Sequence, residues 1–65
     1  MEILLKEVMK KNHLSIRQVA LWTGISKSAV DRIARGEASP TMDQMEALAA
    51  GLGVKISDLY RSDFQ

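Results

Sequence analysis

Lys27, Ser28 and Arg32 are the residues of this 65-residue chain whose types and spacing could do chemistry. They stand at the start of one segment and one turn further along it, while Val30 and Ile33 supply that segment's apolar side. On a helix the three would project together as an ammonium, a hydroxyl and a guanidinium. That set is rich in donors and suits a surface of acceptor atoms. Lys27 and Arg32 can donate to O6 and N7 of guanine, and Ser28 can donate or accept. Asp31 lies between them and can accept from cytosine N4, repel phosphate or pair with a neighbouring cation. Taken singly, such charges are ordinary solvated surface, so their meaning depends on the elements that hold them.

The charge distribution singles out the same region. Residues 15–36 carry Arg17, Lys27, Arg32 and Arg35 against Asp31 alone, a balance of +3. Residues 37–65 carry Lys55 and Arg61 against Glu37, Asp43, Glu46, Asp58 and Asp63, a balance of −3. A basic middle and an acidic end within a chain of net charge +1 imply one polyanion-facing surface and a solvated back.

Other chemistries find no support. The chain has no cysteine and one histidine, His13, which is read as a turn residue. It shows no paired carboxylates in an apolar setting and no glycine-rich phosphate loop, so it is not expected to be an enzyme, to hold a metal or cofactor, or to enclose a small ligand. No apolar run is long enough to span a bilayer, and the first eleven residues are not a signal peptide. A cytoplasmic, nucleoid-associated chain is expected. The starting methionine and polar tail point to an intact small protein forming one domain over residues 1–65.

The hydrophobic periodicity is helical throughout and no strand-length run occurs. A first helix is expected over residues 2–12, with Leu5, Val8 and Met9 on one face, widened by Ile3 and Leu4. Asn12 and His13 tolerate the left-handed backbone that ends helices. Ser15 opens a second helix with Gln18 as its capping-box partner; Ile16, Val19, Ala20 and Thr23 share its inner face. Gly24 stops it. Ser26 caps a third helix that runs to Arg35 and ends at Gly36. Pro40 excludes a helix from the following loop. Thr41, boxed with Gln44, opens a fourth helix with Met45, Leu48, Ala49 and Leu52 inward and Gly51 and Gly53 marking its end. A last short turn or helix is expected over residues 56–61, and residues 62–65 should fray. Met1, Met9, Met42 and Met45 are read as core fillers.

Only Gly24, Ile25 and Ser26 separate the second and third helices, which forces a sharp corner. Two helices so joined form a helix-turn-helix unit, here over residues 15–35, and the major groove is wide enough to admit the second of them.

The run from Leu14 to Ala20, then Gly24-Ile25-Ser26, Val30, Ile33, Arg35-Gly36, Pro40, Leu48-Ala49, Leu52-Gly53-Val54 and Asp58-Leu59, resembles the lambda-repressor/Cro-like (Xre) helix-turn-helix family over nearly the whole chain. The resemblance implies an all-α bundle of about five helices that binds operator DNA as a dimer and regulates transcription, usually as a repressor. Matched by position, it assigns base reading to Lys27, Ser28 and Arg32 on the helix 26–35. It assigns phosphate contacts to the N-termini of the second and fourth helices: the amides of Ile16 and Arg17, the Arg17 side chain, and the amides of Thr41 and Met42, with Arg35 and Ser39 as further candidates. A homodimer, formed through the last helices with Tyr60 and Phe64 or only on DNA, would supply two half-sites.

Two departures matter. The ion pair that many members place between the first and third helices is replaced by Met9 and Ala34, so no buried charge is stranded. Leu21 and Trp22 stand where the family is usually polar. Trp22 is expected to fold over a flanking groove and to be partly buried; otherwise the two form a partner patch for an antitoxin- or adaptor-like interaction module built on the same bundle.

Overall fold

The chain opens on a strand, not a helix. In a computed structural model describing residues 1–64, β1 (Glu2–Ile3) is followed by α1 (Leu5–Lys11), α2 (Ile16–Thr23), α3 (Lys27–Ala34), α4 (Met42–Leu52), a 3-10 helix (Ile56–Leu59) and β2 (Tyr60–Arg61). The expected five α-helices are therefore four. The first begins three residues late, and the fifth is a single tight 3-10 turn.

Both changes have one origin, the pairing of the chain's two ends. β1 and β2 run antiparallel with Glu2 opposite Arg61 and Ile3 opposite Tyr60. Leu4 N donates to Leu59 O at 2.8 Å, and Arg61 Nη1 donates to Glu2 Oε1 at 2.8 Å. Glu2 and Ile3 are thus held in the ribbon, and Leu4, its amide given to Leu59, meets α1 only as the cap whose carbonyl accepts from Val8 N at 3.0 Å. The 3-10 turn starts at Lys55, whose side chain has no acceptor to cap it. Asp58 reaches back instead, its Oδ2 accepting from Lys55 N at 2.9 Å. In the tail, Phe64 N donates to Ser62 Oγ at 3.1 Å, a turn where fraying was expected; Gln65 lies outside the described residues.

The remaining helix ends follow their sequence signals. Ser15 Oγ accepts from Gln18 N and Thr41 Oγ1 from Gln44 N, each glutamine reaching back to the cap amide. Ser26 Oγ accepts from Ala29 N. His13 takes the left-handed conformation at φ 55° between α1 and α2. Gly51 departs from expectation: it does not end α4 but lies within it, where α4 comes close against the C-terminal end of α2.

The core gathers Leu5 and Met9 of α1, Val19 of α2, Val30 and Ile33 of α3, Met45, Leu48 and Ala49 of α4, and Leu59. Every α-helix contributes, so the α2–α3 corner is braced from beneath by α1 and α4. Of the four methionines only Met9 and Met45 fill core; Met1 and Met42 are exposed, because β1 and the first turn of α4 lie at the molecule's edge.

Candidate nucleic-acid interface

The corner between α2 and α3 sets everything in front of it. Gly24 ends α2 with φ 76°, a region that costs other residues strain, and its amide donates to Ala20 O at 2.9 Å. Thr23 fixes the next step. Its hydroxyl donates to Val19 O at 2.7 Å and accepts from Ile25 N at 3.2 Å, so one side chain ties the last turn of α2 to the connection. Ile25 packs against the core below. This role of Thr23 was not assigned from sequence. The signal was present, since a threonine two residues before an amide it can accept from is a recurrent local turn. Thr23→Val keeps the shape but leaves the Ile25 amide without its partner. It should lower unfolding stability by about 1–2 kcal/mol, measured by urea denaturation.

From this corner α3 turns its apolar side, Val30 and Ile33, into the core. At about 100° per residue, Lys27, Asp31, Arg35, Ser28 and Arg32 fall in that order around an outward arc of about 140°. Lys27, Ser28, Arg32 and Arg35 are exposed and Asp31 is half-buried. Among the described residues Lys27 and Arg32 have no ion-pair partner. Ser28 Oγ lies 3.5 Å from Ser26 Oγ. Arg35, a candidate phosphate donor from sequence, is held by two carboxylates: its Nη2 is 3.0 Å from Asp31 Oδ2 and 3.3 Å from Glu37 Oε1. Asp31 is thus paired within its own helix, one turn from Arg35.

The candidate phosphate positions divide. At the start of α2 the amides of Ile16 and Arg17 have no intrahelical partner, the Arg17 side chain is exposed, and no acidic residue occupies the first turn. At the start of α4 the Thr41 amide is already committed to Gln44 Oε1 at 2.9 Å. The capping box that identified this helix end in the sequence is what consumes the donor. The Thr41 hydroxyl keeps its proton for donation, the Met42 amide opens the first turn, and Asp43 places a negative charge beside it. Ser39 is exposed on the preceding loop. The structure thus puts the stronger anion-attracting end at α2.

Leu21 and Trp22 both face outward from α2. Leu21 is 78% exposed, whereas Trp22, at 49%, has about half of its surface covered. The tight approach of α4 at Gly51 takes up the room beside the Trp22 backbone.

A helix-turn-helix family profile matches residues 5–59, from the first residue of α1 to the last of the 3-10 turn. Searches of curated proteins and of solved structures returned no match.

Proposed function

Because the chain belongs to the Xre/lambda-repressor-like helix-turn-helix family of DNA-binding transcription regulators, we propose that it is a repressor that binds a specific operator by placing α3 in the major groove. The observation that carries this reading is the outward arc of α3, where Lys27, Ser28 and Arg32 stand exposed on a helix whose opposite side is locked into the core. Lys27 and Arg32 donate to guanine edges and Ser28 reads either partner. The amides of Ile16 and Arg17, the Arg17 side chain, the Thr41 hydroxyl, the Met42 amide and Ser39 fix the register on phosphates.

Size supports a homodimer on DNA. The molecule measures 31 × 22 × 21 Å. Two copies side by side can therefore address half-sites about 34 Å apart. Such a protein would act at the nucleoid, in the cytoplasm. Selection from a random duplex pool tests the proposal. Enrichment of a short palindrome is the expected result. Failure to enrich any sequence would move the weight to the second reading, an antitoxin- or adaptor-like module, which the exposure of Leu21 and Trp22 favours.

A further inference from the structure

The middle of the α3 arc is not occupied by the residues assigned to read bases. Asp31 and Arg35 lie between Lys27 on one side and Ser28 and Arg32 on the other, at about 100° per residue. A carboxylate therefore sits near the centre of the surface meant to meet a polyanion. Glu37 adds a second just beyond the helix end. Both touch the same nitrogen, Arg35 Nη2, at 3.0 and 3.3 Å.

Resting on the DNA-binding reading, we propose that Arg35 is not a phosphate ligand but a positioning residue: it offsets one of the two negative charges of Asp31 and Glu37 and holds both side chains, so that the recognition face can approach a duplex. Three observations support this. The guanidinium bridges two acidic side chains, one a helical turn back and one two residues on. All three side chains remain about half exposed, so the charges lie at the surface, where they act on an approaching duplex. And the face has other cations for direct contact, since Lys27, Arg32 and Arg17 carry no ion pair among the described residues. Releasing Arg35 to a phosphate would uncover two carboxylates to gain one contact.

The two roles make different forecasts for a variant that loses the guanidinium and both carboxylates together. The probe is a fluorescently labelled duplex of mixed sequence, bound at low salt, so no knowledge of the operator is needed. Arg35→Gln should weaken binding about fivefold, the worth of one unit charge at close range in water. The triple variant Asp31→Asn, Glu37→Gln, Arg35→Gln should bind at least as tightly as the wild type, because the two carboxylates leave together with the cation that offsets them. A triple variant that binds as weakly as Arg35→Gln alone overturns the proposal and makes Arg35 a phosphate ligand. No effect of Arg35→Gln in the natural background overturns it as well. Wild-type protein that binds no duplex at all removes the DNA-binding reading itself, and the inference with it. These exchanges alter exposed side chains without changing their size much, and equal thermal midpoints across the set confirm that folding is not the cause.

Discussion

Gly51→Ala should destabilise the protein, although alanine is the better helix former. Position 51 lies inside α4, where the exchange alone would favour the helix by about 1 kcal/mol. The added Cβ, however, would come within 2.7 Å of Trp22 O, 2.8 Å of Thr23 Cγ2 and 3.0 Å of Trp22 C. Two of these atoms are backbone, so rotation of a side chain cannot relieve the contact. Either α4 or the last turn of α2 must move. Overpacking of this kind costs about 1–3 kcal/mol, and the backbone contact places it at the upper end. The net loss is about 1–2 kcal/mol, which for a domain this small lowers the melting midpoint by about 10 °C. Gly51→Val adds two more carbons on the same vector and should lose more. A calorimetric or circular-dichroism melt decides. A midpoint at or above that of the wild type would mean that α2 yields freely, and that the corner is held by something other than α4.

The consequence reaches the face proposed to meet DNA. The atoms that Gly51 accommodates belong to Trp22 and Thr23, and Thr23 holds the Ile25 amide from which α3 departs. A displacement at Gly51 is therefore delivered to the angle between α2 and α3. The Gly51→Ala protein should lose affinity for its site even at temperatures where it is fully folded.

The sequence reading located the helices through signals that are local. Ser15 with Gln18, Thr41 with Gln44, Ser26, His13 and Gly24 each act within a few residues, and each acts in the structure as its type demands. The apolar spacing on α2, α3 and α4 likewise identified Val19, Val30, Ile33, Met45 and Leu48 as interior. What escaped was decided at a distance. The ribbon joins residues separated by 59 positions, and two-residue strands are too short to show an alternating pattern. Gly51 reads as a stop because glycine commonly is one; its role as the point of close approach appears only once α2 lies across α4. Of the candidate interface, the exposed arc of α3 was legible from periodicity. The pairing of Arg35 with Asp31 was available as an i, i+4 match, whereas its second partner, Glu37, depends on how the chain leaves the helix.

The combined change Lys27→Ala and Arg32→Ala should remove site-specific binding and leave the fold untouched. Both side chains are exposed, and among the described residues neither has an ion-pair partner, on an α-helix where alanine is well tolerated, so the melting midpoint should stay the same or rise slightly. Each well-placed donor to a base edge contributes about 1–3 kcal/mol of discrimination, so losing two should cost about 2–6 kcal/mol on the preferred duplex. That exceeds tenfold even at its lower bound, since about 1.4 kcal/mol corresponds to each factor of ten. The contrast with Arg17→Ala makes the result interpretable. Arg17 is assigned to the sugar-phosphate backbone, so its loss should weaken all duplexes alike and reduce the salt slope by about one. Binding curves on the selected duplex and on a mixed-sequence competitor, each at several salt concentrations, separate the two patterns. Collapse of the ratio between the duplexes in the double variant, beside a preserved ratio in Arg17→Ala, is the signature of a helix that reads bases. A preserved ratio in the double variant would assign the reading of sequence to some other surface and leave α3 with a structural part alone. The division matters because both variants lose positive charge. Affinity alone falls in each case for that reason, and only the ratio between duplexes tells recognition from attraction.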